Sequence, residues 1–157
     1  DLARAKAELE RQLKDEMAGG NLNVSMSERG LVVTVLNQIL FDSGKAELKE
    51  SSISTLAKVA EILQREVPQQ MIYVEGHTDT DPIRYSGFRS NWELSTTRAT
   101  EVVHYFIDRM GVSPDRLMAA GYGEFHPVES NASAEGKRKN RRVEIIISPF
   151  KVKSARR

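Results

Sequence analysis

Apolar residues recur along this chain with two different periods, and the switches between them mark the elements. Over Asp1–Ala18, Leu2, Leu9 and Leu13 share one helical face, with Ala5 and Met17 beside them and charged residues elsewhere. The stripe is narrow, nearer a coiled-coil seam than a core-facing helix. At about two and a half heptads it is marginal alone, and Gly19-Gly20 ends it. It predicts a connector from an upstream segment that also offers a dimer contact. Asn23–Ser27 and the apolar run Leu31–Leu36, broken only by Thr34, then read as two strands around a turn at Glu28-Arg29-Gly30. Ile39-Leu40-Phe41 leads into a turn at Asp42–Lys45.

The period changes next. Ile53, Leu56, Ala60, Leu63 and Val67 are spaced alternately by three and four, which predicts an amphipathic helix over Glu50–Val67, stopped by Pro68. Met71–Glu75 is a strand ending at Gly76, and Gly76–Ser90 a polar loop. Ser90 and Glu93 are placed as a capping box for a second helix that runs to about Met110. Its apolar face is Leu94, Ala99, Val102, Val103, Phe106 and Met110, and Gly111 suits the position just past its end. Arg116–Tyr122 is a short strand, Glu124–Asn140 a loop, and Val143–Ser148 the last strand. The order β-β-α-β-α-β-β predicts an α/β fold: a two-layer sandwich, a mixed sheet with two main helices on one face, plus the N-terminal helix. The expected organisation is a linker helix over 1–20, one domain over 21–150 and a basic tail over 151–157.

Composition narrows the classes. With 157 residues, 39% apolar and 29% charged, the chain can build one core and is not disordered. No apolar run approaches the roughly 20 residues of a membrane span. The chain starts at Asp1 rather than Met and reads as a piece of a longer protein. With no cysteine there is no disulfide, no thiolate metal site and no thiol nucleophile. Residues 137–157 hold nine Lys/Arg against one acid, Glu144, so the rest of the chain is net acidic. Such a tail could meet nucleic acid. Val143–Ile147 inside it reads as a buried strand, however, and no recognition helix or stacking aromatic pattern accompanies it. The tail is read as solvated, and nucleic acid is not an expected partner.

Candidate chemistry clusters after the Met71–Glu75 strand. His77, Asp79 and Asp81 alternate as metal ligands would on a strand. Pro82 follows directly, and no activated water or base is indicated. A metal-dependent enzyme using these three is the remote alternative; no metal and no cofactor is expected. The chain lacks a Gly-x-Ser-x-Gly elbow, a P-loop and a dinucleotide fingerprint, so an enzyme is not expected. Asp79 at a strand end and Arg98 one turn into a helix allow two readings. They pair with each other as an ordinary ion pair. Or, held apart, they receive a zwitterion, the carboxylate taking an ammonium and the guanidinium a carboxylate. Both are expected at a rim, so replacing either with Ala should abolish binding and spare the fold.

Four motifs stand in order. Val74–Asp79 carries Gly-His-Thr-Asp; Asn91–Ala99 carries Asn-x-x-Leu-Ser-x-x-Arg-Ala; Gly121–Pro127 carries Gly-x-Gly with a following Pro; Asn140–Glu144 reads Asn-Arg-Arg-Val-Glu. With Phe41–Gly44 and Leu48 before them, they cover about residues 31–148. This pattern resembles the OmpA-like C-terminal domain family. The resemblance implies non-covalent binding of peptidoglycan in the periplasm, through the diaminopimelate of the stem peptide. It implies ligand-binding roles for Asp79 and Arg98, with Thr78, Asn91 and Leu94 lining the pocket and Arg142 contributing from the last strand. The long loop Thr80–Ser90, with Asp-Pro-Ile and then Phe-Arg-Ser-Asn-Trp-Glu-Leu-Ser, is similar to the flagellar motor stator branch, the MotB-like proteins. That implies a homodimer whose parent is anchored in the membrane by a segment outside this chain. An outer-membrane envelope-integrity anchor of the OmpA or Pal type is the alternative.

Overall fold

In the computed structural model, residues 2–84 and 87–153 are described. Tyr85 and Ser86 of the long loop, and Ser154–Arg157 of the basic tail, lie outside the described residues. Five strands form one mixed sheet in the order β1-β2-β5-β3-β4. β1 (Leu22–Ser27) and β2 (Gly30–Leu36) make an antiparallel hairpin, β5 (Arg142–Lys151) runs antiparallel to β2 and β3 (Gln70–His77), and β3 lies parallel to β4 (Leu117–Gly121). The parallel pair is joined through α5 (Asn91–Asp108), the crossover that such a pair requires.

Strand alternation divides the sheet into two faces. Leu31, Val33 and Val35 stand opposite Ile147, Ile145 and Val143, and Ile72 and Val74 stand opposite Ile147 and Ile145. These residues form one apolar cluster with α4 (Ile53–Glu66) and α5, through Leu56, Ala60, Leu63, Ala99, Val102 and Phe106. The expected two-layer architecture is the one observed, with both main helices on this face. Gly76 sets the close approach of α5 to β3, because a Cβ there would run into the Ser95 backbone. Ser90 caps α5, its hydroxyl accepting from Trp92 N–H at 3.2 Å and donating to Glu93. At the other end Gly111 takes φ +70°, and Val112 N–H reaches back to Phe106 C=O at 2.9 Å, a Schellman stop.

Two expectations are corrected. The N-terminal stripe does not wait for a second copy: Ala5 and Leu9 of α1 (Leu2–Gln12), and Leu13 just after it, are fully buried in the same core. Arg65 to Glu8 and Arg4 to Glu66 flank the packing of α1 on α4. The seam is spent within the chain, which explains why so short a helix is ordered. The segment 124–140 is not all loop. After α2 (Lys14–Ala18) and α3 (Asn37–Leu40), a sixth helix, α6 (Ala134–Asn140), is capped by Ser133, which accepts from Gly136 N–H at 3.0 Å. α6 has no apolar stripe to announce it. Asn140, fully buried, holds it to the loop before it by accepting from the N–H groups of Val128 and Glu129.

Candidate binding site

The end of β3, the start of α5 and the turn before β5 meet around a cavity of about 880 Å³. Thr78 leaves the sheet with its N–H on Gly123 C=O at 2.8 Å and its hydroxyl on Asp79 C=O at 2.8 Å. Asp79 then folds back: Oδ1 accepts from Asp81 N–H at 2.9 Å, closing a local turn. Its Oδ2 is paired with the Arg141 guanidinium. Asn91, the first residue of α5, donates to Asp81 C=O at 3.1 Å and so fixes the turn to the helix. Leu94 lies one turn on and supplies an apolar patch of the wall.

Arg98 faces the cavity from the second turn of α5. Its Nε donates to Lys45 C=O at 2.8 Å, Nη2 to Asp42 C=O at 3.3 Å, and the guanidinium lies over the Phe41 ring, 4.9 Å from its centre. Nη1 takes part in neither bond. The cation is therefore oriented by neutral carbonyls and a ring rather than cancelled by a carboxylate. Burial, and after it the charge of Arg141, pushes its pKa down to about 10, which leaves it charged at neutral pH. The ion-pair alternative for Asp79 and Arg98 does not hold: Asp79 pairs with Arg141, and Arg98 with backbone. The cavity is thus lined by a carboxylate on one element and an uncancelled guanidinium on another.

The OmpA family profile matches residues 40–141, from the turn that holds Arg98 to the arginine that holds Asp79. The chain belongs to the OmpA family. It is 38% identical over 149 residues to Motility protein B of Bacillus subtilis, covering 95% of this chain and 57% of that protein. The chain thus spans little more than half the length of that relative. A MotB-like protein of Desulfovibrio vulgaris has a solved structure with a TM-score of 0.84 at 29% identity, covering 94% of this chain and 93% of that one. The cell wall anchor of the type VI secretion system of Pseudomonas aeruginosa superposes with a TM-score of 0.80 at 34% identity, covering 89% and 96%.

Within this OmpA-family domain, Thr78, Asp79, Asn91, Leu94 and Arg98 all line the one cavity. Arg142 does not. It is 3% exposed, and it donates from Nε to Glu144 at 2.6 Å and from its terminal nitrogens to Asn140 C=O and His126 C=O. Along β5 it stands on the sheet face opposite Val143, beside His77 across the ladder. Arg141 is the member of the arginine pair that reaches the cavity, and the signal for it was this alternation. Asp42 and Lys49 also line the cavity and were not singled out. The expected rim placement of Asp79 and Arg98 is corrected as well, since each is only 5% exposed. His77, Asp79 and Asp81 are not brought together. Asp79 holds Arg141, Asp81 holds Lys137 at 2.9 Å, and His77 points to the other face of the sheet.

Proposed function

We propose that this OmpA-family domain binds peptidoglycan non-covalently and anchors a MotB-like envelope protein to the cell wall from the periplasm. The observation that carries the reading is Arg98: a buried guanidinium, held by two carbonyls, facing the same cavity as the Asp79 carboxylate. Diaminopimelate ends in an amino group and a carboxylate on one carbon. Its ammonium docks on Asp79, which shares the ion with Arg141, and its carboxylate takes the N–H groups of Arg98, each a charge-assisted contact. Thr78, Asn91 and Leu94 hold the walls. The domain performs no chemistry. A single pocket of this kind supports micromolar to millimolar affinity, about −4 to −8 kcal/mol. Two domains on a dimeric parent would add avidity on a polymer.

The test is calorimetric titration with two stem tripeptides, one carrying diaminopimelate and one carrying lysine at the same place. The lysine peptide keeps the ammonium but lacks the carboxylate for Arg98, and it should bind at least about tenfold more weakly, the worth of one charged hydrogen bond. Equal binding of the two, or binding of neither, overturns the reading.

A further inference from the structure

β3 and β5 turn Glu75, His77 and Glu144 to the sheet face away from the two main helices, with Glu75 directly opposite Glu144 in the ladder. One ligand atom from each lies within 4.8 Å of the others. The histidine is the anomaly. It is 3% exposed, and neither Nδ1 nor Nε2 has a hydrogen-bond partner. A neutral imidazole has one donor and one acceptor to satisfy, and a buried orphan of this kind needs a physical reason. Nε2 stands 4.0 Å from Glu144 Oε2. That is too long for a hydrogen bond. It is close to the spacing of two ligands on one ion, since ion–ligand bonds of about 2.0–2.2 Å place tetrahedral ligands roughly 3.3–3.6 Å apart.

We propose that Glu75, His77 and Glu144 form a divalent-cation site of the imidazole-and-carboxylate class that zinc favours. The site is separate from the wall-binding cavity and does not depend on that reading. The two carboxylates already carry partners: Arg29 grips Glu75, and Arg142 donates to Glu144 Oε2 at 2.6 Å. Each carboxylate oxygen has two lone pairs, so an arginine and an ion can share it. The Arg29 side chain is half exposed and can swing into water as the ion's charge enters. His126, exposed and with its ring centre 6.0 Å from that of His77, can turn in as a fourth ligand. An ion here ties β3 to β5 and to the loop of His126, just before the strand end from which Thr78 and Asp79 depart.

The competitor is His104 with Asp108, an exposed i,i+4 pair 3.9 Å apart on α5. Protein stripped with chelator is dialysed against Zn²⁺, and metal per chain and the melting temperature are measured for wild type, His77→Gln, Glu144→Gln and His104→Ala, with folding checked by circular dichroism. One zinc per chain and a raised melting temperature are expected in wild type and His104→Ala, and loss of both effects in the other two. In case the variants fail to fold, Co²⁺ is added to wild-type protein, where it should broaden the NMR ring signals of His77 before those of His104. No stoichiometric uptake, uptake that survives His77→Gln and Glu144→Gln, or broadening that begins at His104 overturns the proposal.

Discussion

Two polar clusters sit back to back at one end of the sheet, and consecutive arginines serve them. Arg141 turns to the cavity and holds Asp79; Arg142 turns to the opposite sheet face and holds Glu144. In the cavity cluster Asp79 is paired with Arg141, and Arg98 stands apart from both. Arg98 spends its hydrogen bonds on carbonyls of Lys45 and Asp42 and keeps its charge for something else. On the opposite face the charges cancel locally, with Arg29 on Glu75 and Arg142 on Glu144, and the unpartnered group is the neutral His77. The difference separates recognition from structure. A charge oriented by neutral groups is ready for a charged ligand, whereas a charge matched by its neighbour mainly holds strands together.

The largest expected effect breaks the first cluster. Arg98→Ala should weaken wall binding by about 2–5 kcal/mol, at least about thirtyfold. Because its guanidinium also ties down the carbonyls of Asp42 and Lys45, the melting temperature should fall too. Arg98→Lys keeps the charge but loses the fork, and it should bind between the two. Breaking the second cluster with Arg142→Ala should cost about 3–5 kcal/mol of stability, the penalty for stranding one partner of a buried pair. The protein that remains folded should bind wall as wild type does. Urea midpoints read beside sedimentation with cell wall separate the two outcomes. If Arg142→Ala abolishes binding at full stability, the assignment of the two arginines is reversed.

A change that touches neither cluster sharpens the comparison. Leu9, fully buried where α1 meets the core, should cost about 2–5 kcal/mol when truncated to Ala, with binding by folded protein unchanged. A smaller effect belongs to His77. Its pKa is depressed from 6.5 to about 3, so below pH 6.5 the unfolded chain takes up a proton that the folded chain refuses. Stability attributable to His77 is therefore intact above about pH 6.5 and is lost progressively as pH drops toward 3. In metal-free protein, His77→Gln should flatten this part of the pH–stability curve; an unchanged slope would mean that the imidazole is not held neutral. Smallest of all, Arg141→Gln should shift stability by less than about 1 kcal/mol, since its side chain is 39% exposed. Its wall binding should drop by tenfold or less, because Asp79 loses the group that orients it.

Much of this was legible in the chain. The three-and-four spacing from Ile53 to Val67, the Ser90 cap and the Gly111 stop each specify a helix by local physics, and α4 and α5 stand where those signals put them. The stripe of Leu2, Leu9 and Leu13 was equally legible as a stripe, but not what it would meet. Sequence period says which face is apolar, and only the fold says that α4 covers it. α6 was illegible for the opposite reason: Ala134–Asn140 has no apolar period, and Asn140 stabilises it through hydrogen bonds to a distant loop. Within the site, Asp79 and Arg98 could be nominated from residue type and position. That Arg98 would bond carbonyls some fifty residues away, and so remain unpaired with Asp79, depends on a tertiary contact without a local signal. The exchange of Arg141 for Arg142 was avoidable. Val143 and Ile145 face the core, so Arg142 and Glu144 had to share the other face.

The most direct test is co-sedimentation of the purified chain with isolated peptidoglycan sacculi, run beside Arg98→Lys and Asp79→Asn, two variants of nearly unchanged volume. Wild-type protein should pellet with the wall, Arg98→Lys in part, and Asp79→Asn should stay in solution while its circular dichroism matches wild type. Wild type remaining in solution, or Asp79→Asn pelleting to the same extent, would contradict a wall anchor built on that carboxylate and guanidinium.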